Sequence, residues 1–243
     1  MRSGRRPIVV WGVTLLAVTL VATRSLDRDQ PVPPLARSAF TLYIVDQGGA
    51  RQPVAHYDGL AWAPLCEQGL GPPTPVQYLG PVLAVEGSRG SPLYPVRLLS
   101  GEPRRWQRAR DAVQALTDGS VDVPGRIREA AVYVPVGTTS DVVFVDLVMR
   151  SAEPQWWGVA ASGWVHTDGD RVWVLAPRVA PFATYEDFIA TPRLHPLGVA
   201  DVGHPGERVW VMQNRAPELS AIELVRVSAR TAETSVSVAH GGC

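Results

Sequence analysis

From Phe40 onward the chain is a succession of short segments in which apolar and polar residues alternate, each closed by a Gly, Pro or Asp-Gly cluster. A period of two places successive side chains on opposite faces, so such segments can bury one face only by pairing as strands. Phe40–Asp46 is followed by the turn signature Gln47-Gly48-Gly49-Ala50, and Gln52–Asp58 returns, with Pro53 placing it near a sheet edge. Val76–Val85 and Leu93–Leu99 flank Gly87-Ser88-Arg89-Gly90 and read as a second hairpin, after a proline-rich loop at Gly71–Pro75. Further strands are expected at Ala130–Val136, Asp141–Arg150, Trp156–His166, Arg171–Ala176, Gly198–Val202, Arg208–Gln213, Ala221–Ser228 and Thr234–Ala239.

One segment has the helical period. Over Pro103–Asp118, proline suits the first turn, Gly119 suits the end, and Trp106, Ala109, Val113 and Leu116 form an apolar stripe. Tyr185–Ala190 has room for a short helical turn. The expected fold is mainly β: a sandwich or barrel-like arrangement of antiparallel sheets with one packed α-helix, preceded by an N-terminal hydrophobic helix. Gly169-Asp170-Arg171-Val172-Trp173-Val174 recurs 37 residues later as Gly206-Glu207-Arg208-Val209-Trp210-Val211. Two copies are too few for a propeller and read as two hairpins of the same strand chemistry.

The N-terminus carries an export or insertion signal. Arg2, Arg5 and Arg6 precede an uncharged run across residues 7–23, and cationic flanks stay on the cytoplasmic side. The run ends Val21-Ala22-Thr23-Arg24 without a clean small-x-small site, which favours an uncleaved anchor over a cleaved signal. No cysteine follows the run, so a lipid anchor there is excluded. Three divisions result: residues 1–24 as membrane anchor or signal, 25–38 as a proline-rich spacer, and 39–243 as an extracytoplasmic domain. The expected location is the cell membrane, single-pass with the C-terminal domain outside, or secreted or periplasmic if the signal is cleaved.

Composition removes several functions. All 23 basic residues are arginine, so no lysine can form a Schiff base, grip a phosphate loop or act as a base. Residues 1–24 hold four arginines and no acid, which leaves 19 arginines against 23 acids in the rest. That balance argues against a nucleic-acid partner. No GxSxG, HExxH, CxxC or GxGxxG pattern occurs, and the five histidines lack metal-ligand spacing. Neither a metal nor a cofactor is expected. Cys66 and Cys243 could close a long loop in an oxidising compartment.

Three groups of residues could still carry function. Asp146 interrupts the apolar run Asp141–Arg150, and either serves as an acid or base or pairs with an arginine, the second being favoured. Arg104, Arg105 and Arg108 crowd the start of the helix, where cations oppose its dipole, and either form a solvated helix face, the reading favoured, or contact an anion or an acidic partner. The third group is a tryptophan face. Closing a hairpin on Asp168-Gly169 pairs Thr167 with Asp170, His166 with Arg171 and Trp164 with Trp173. Trp156, Ser162, Trp164, His166, Arg171 and Trp173 then share one face, and Arg208 shares one with Trp210. Tryptophan mixed with arginine and histidine is either an interaction surface or a face covered by the helix or a second sheet, with Arg171 and Arg208 stacking locally, the covered face being favoured.

The function expected from these features is a membrane-anchored extracytoplasmic binding module, a non-catalytic accessory, assembly or structural subunit of a cell-envelope complex. Its partners would be the membrane, through residues 7–23, and another envelope protein. A tethered or secreted carbohydrate- or peptide-binding module is the second possibility. A hydrolase built on Asp146 or His166 is the third.

Overall fold

The computed structural model describes residues 39–45, 51–65, 82–86, 93–99, 104–118, 127–137, 140–151, 156–204, 206–215 and 220–239. The expected anchor, the spacer, Cys66 and Cys243 lie outside them. The described elements, in chain order, are β1 (Phe40–Val45), β2 (Arg51–Tyr57), β3 (Trp62–Pro64), β4 (Val82–Glu86), β5 (Leu93–Leu98), α1 (Arg104–Ala115) and β6 (Ile127–Pro135). They continue with β7 (Val142–Arg150), β8 (Gly158–Asp168), β9 (Arg171–Phe182), α2 (Tyr185–Ala190), β10 (Arg193–Ala200), β11 (Arg208–Arg215), β12 (Ser220–Val227) and β13 (Ala232–Ala239). All of them belong to one compact unit, Arg37–Cys243. Among the described residues no helix is long and apolar enough to cross a membrane.

The strands form two antiparallel sheets, a small one in the order β3-β2-β1-β4 and a nine-stranded one in the order β13-β12-β11-β10-β5-β6-β7-β8-β9. The large sheet curls into a nearly closed, barrel-like form in which β9 and β13, its two edges, approach each other. Its strands β7 and β8 are buried on both faces. Alternation along β7 shows why: Phe144 and Val148 look inward, while Val143, Val145, Leu147 and Met149 look outward, and all six are buried. A strand apolar on both faces needs a layer on each side.

The inner layer is the sheet's own far wall, where Phe144, Trp164, Trp210, Met212 and Val225 meet. Outside β6–β9 the layer is α1, whose Ala109 and Val113 are fully buried against Val145, Leu147 and Val159, as the stripe predicts. Outside β10–β13 it is the small sheet, which packs Phe40, Leu42, Ile44 and Tyr57 on Val209, Val211, Ile222 and Leu224.

Two expectations about pairing are corrected. Val76–Val85 and Leu93–Leu99 do not make a hairpin: β4 pairs with β1 in the small sheet, while β5 lies between β10 and β6 in the large one. Pro53 stands near a sheet edge: β2 has β1 on one side, and the three-residue β3 on the other stops short of the proline. It is tolerated because β3 reaches only Ala55–Tyr57 and because a bulge falls between Leu42 and Tyr43, opposite the proline.

The β8–β9 hairpin turns on Gly169-Asp170, one residue later than expected, so that Asp168 faces Arg171, His166 faces Trp173 and Trp164 faces Leu175. Gly169 takes a φ of +57° as the first of the two loop residues, which is where a type II′ turn needs glycine. β9 also runs six residues past the expected Ala176. The ladder slips between Ser162 and Trp164, where Ala176, at a φ of +45°, and Pro177 form a bulge on β9. Beyond it the even-numbered residues of β9 turn inward, so Ser162 faces Arg178 and Ala160 faces Ala180.

Candidate functional site

The expected tryptophan face divides into three parts. Trp164 and Trp210 are each 1 % exposed and fill the inner core, so neither belongs to a surface. Both point to the inside of the curled sheet, a consequence of curvature that alternation does not encode. Trp156 precedes β8 and stands near Gly158 and Phe182, at the opposite end of the hairpin from its turn. Its ring lies 4.3 Å beneath the Arg150 guanidinium and 4.8 Å from Tyr185.

Trp173 is exposed where Trp156 is half-buried, 41 % in solvent near the turn end, with its ring stacked 5.3 Å from the His166 ring at 28°. Nδ1 of His166 is buried without a hydrogen-bond partner. Arg171, exposed, opens the same strand opposite Asp168. Arg208 is engaged elsewhere: it pairs with Asp201 at 3.5 Å and donates to the Glu207 carbonyl oxygen at 2.8 Å.

Arg108 pairs with Asp170 at 2.8 Å, tying α1 to the hairpin turn. Arg104 is exposed, and the Arg105 side chain lies outside the described set.

A polar cluster gathers at the other end of the curled sheet. Asp146, on the inner face of β7, pairs with Arg193 at the start of β10, which is the arginine partnership its apolar surroundings call for. Arg178, turned inward by the bulge, donates to Glu223 on β12 at 3.0 Å, and Asn214 on β11 donates to the other carboxylate oxygen at 2.8 Å. His195 packs edge-on to Tyr133 with ring centroids 5.6 Å apart.

Burial pushes the Asp146 carboxyl above its ordinary range, an effect that Arg193 only partly offsets. The Tyr133 phenol is also raised, by burial first and by the Asp146 charge second. Burial, reinforced by Arg215 and Arg193, holds His195 down at about 4, so it is neutral at ordinary pH. Between Asp146, Ser162, Arg178, Thr191 and Arg193 lies a cleft with about 20 Å³ of free space, the room of a single water.

The arrangement can bind through hydrogen bonds, and no serine, histidine and carboxylate are joined in one hydrogen-bonded chain among the described residues. Ser162 faces Asp146 across the β7–β8 ladder, yet the nearest described imidazoles make their contacts elsewhere, His166 with Trp173 and His195 with Tyr133. No group of three or more His, Cys, Asp or Glu side chains stands together as metal ligands among the described residues. Arg178, Glu223, Asn214 and His195 were not legible as site residues. Glu223 had a signal of the same kind as Asp146, a carboxylate inside the apolar run Ala221–Val225. No protein-family model, curated protein or solved structure matches the chain significantly.

Proposed function

We propose that the chain is a membrane-anchored, extracytoplasmic binding module, a non-catalytic accessory, assembly or structural subunit of a cell-envelope complex. The observation that carries this reading is the rim formed by Trp173, His166 and Arg171. An indole left 41 % in solvent, already held against an imidazole, loses little side-chain freedom when a partner covers it. An arginine beside an aromatic is the composition of a protein–protein anchor. The ion-paired carboxylates in the interior support binding over catalysis, because Asp146 and Glu223 each already have a guanidinium. The basic and apolar run of residues 2–23 supplies the membrane part of the proposal.

The test is purification of the full chain from native membranes in mild detergent, with identification of co-purifying chains. The expected result is a stoichiometric partner that Trp173→Ala weakens by about thirtyfold or more, the scale of a hot-spot truncation. Thermal unfolding of the variant should shift little, since a surface substitution costs within about 0.5 kcal/mol. A lone monomer in native membranes, or a partner indifferent to Trp173→Ala, overturns the reading.

A further inference from the structure

The cleft at the Asp146 end is a built site with hydrogen-bonding capacity left over. Arg178 and Arg193, whose side chains are 42 % and 34 % exposed, line it, and each engages a single nitrogen with its carboxylate. A guanidinium carries five N–H donors, so both arginines have donors to spare. Ser162 lines the same cleft, is only 8 % exposed, and its hydroxyl has no hydrogen-bond partner among the described residues. Asp146 supplies acceptor capacity from its position between the serine and Arg193. Donors and acceptors therefore converge on a space of about 20 Å³, enough for one hydroxyl.

Charge decides what that hydroxyl belongs to. The two arginines and their partners, Asp146 and Glu223, sum to zero. An anionic group would leave a carboxylate opposed, and a cationic one would meet two guanidinium ions, so a neutral polar group fits best. The walls immediately around the polar atoms are small, Ala160, Ala161 and Ala180. An aromatic shoulder adjoins them: the Phe188 ring lies 6.0 Å from the Arg193 guanidinium, 5.8 Å from Trp156, and Trp156 continues to Tyr185, which is 46 % exposed. Arg150 covers one face of Trp156, so a chain of rings with apolar C–H faces and hydroxyls at their rims matches both halves, one hydroxyl entering the cleft while a further ring stacks on exposed Tyr185.

We infer that the cleft bounded by Asp146, Ser162, Arg178 and Arg193, with the Phe188–Trp156–Tyr185 shoulder, is a binding site for a neutral saccharide. It is separate from the Trp173 rim and stands whether or not that rim docks a protein.

Isothermal titration calorimetry on the full chain, in a detergent without a sugar headgroup, tests this with cellotetraose, chitotetraose, maltotetraose and mannotetraose. A tetragalacturonate serves as the charged comparison. At least one neutral tetrasaccharide should bind with a Kd of about 1 mM or tighter. Ser162→Ala, which removes one hydroxyl and breaks no ion pair, should weaken it by about fivefold or more. Ala180→Leu, at a half-buried wall position, should abolish it by filling the mouth, while Trp173→Ala should leave it unchanged. Circular dichroism checks that both cleft variants remain folded. Absence of binding by every neutral probe, tighter binding of the galacturonate, or binding that survives both cleft variants overturns the proposal.

Discussion

Ala176 occupies a backbone position that suits glycine. Its φ of +45° lies in the left-handed region, which costs an L-residue about 1 kcal/mol or more. The bulge it forms is what turns Arg178 inward, so the strain is tied to the polar cluster. Across the ladder, Gly163 gives the bulge its room: a Cβ there would lie 2.8 Å from Cγ1 of Val174 and 3.3 Å from the Leu175 carbonyl oxygen. Ala176→Gly should raise unfolding stability by about 0.5 kcal/mol, the relief of strain less the added chain entropy. Gly163→Ala should lower it by about 1–3 kcal/mol through overpacking. Urea unfolding of the two variants measures both, and equal effects would mean that the bulge is not under the stated constraint. His195 makes a pH-dependent prediction. The unfolded chain takes up its proton near 6.5, the folded protein only near 4, so the folded state binds fewer protons in between. Stability should be full above 6.5 and fall as pH drops toward 4. Asp146 acts with the opposite sign, because its raised carboxyl accepts a proton in the folded state before the unfolded one does. His195→Gln should therefore remove the fall and leave a slight gain on acidification, read from urea midpoints across the range.

At the scale of elements, what the sequence exposes is what depends on local periodicity. The stripe Trp106, Ala109, Val113 and Leu116 gives α1 and its buried face, and alternation gives β7, β8, β11 and β12 within a few residues. Register and partner choice were not legible, because they are settled by contacts between segments distant in the chain. Asp168-Gly169 and Gly169-Asp170 are both plausible turns; the second wins by putting glycine first in the loop and aligning Val165 with Val174 on the helix side. Pro177 and Pro196 look like strand endings, yet β9 and β10 continue through bulges beside them. In the site, Asp146 was visible as a carboxylate in an apolar run, but its partner Arg193 lies 47 residues away and has no local signature. The helix offers the cleanest test of packing at this scale. Val113 is fully buried against the outer face of β7 and β8, so Val113→Ala should cost about 2 kcal/mol, two methyl groups plus a residual cavity. A loss under about 0.5 kcal/mol in thermal unfolding would mean that α1 is not seated on the sheet as described.

The whole molecule poses a closure problem that no single element reveals. Nine antiparallel strands in one sheet are an odd number, so β9 and β13 run in the same direction where they approach, and no ladder joins them among the described residues. An unclosed sheet leaves two edges that must be managed. β9 manages its own with Pro177, Pro181 and the bulge, and β13 has an extra residue, Ser235, that donates to the Leu224 carbonyl oxygen. Across the gap the connection is made by side chains: Arg178 on β9 reaches past β13 to Glu223 on β12, and Asn214 on β11 holds the second oxygen of the same carboxylate. The two ends of this bridge differ in burial, with the Glu223 side chain 9 % exposed and that of Arg178 42 %. Removing the arginine leaves a buried carboxylate short of its counter-charge, whereas removing the negative charge leaves a guanidinium that water can solvate. Arg178→Ala should therefore cost about 2 kcal/mol, discounted from the fully buried case for the exposure of the arginine, and Glu223→Gln clearly less. The Arg178→Ala variant should also expose the seam, so amide hydrogen exchange should rise in β9 and β13 ahead of β7 and β8. Equal costs for the two variants, or exchange that rises evenly across the sheet, would show that the ion pair is a surface ornament and that the sheet is held by its core alone.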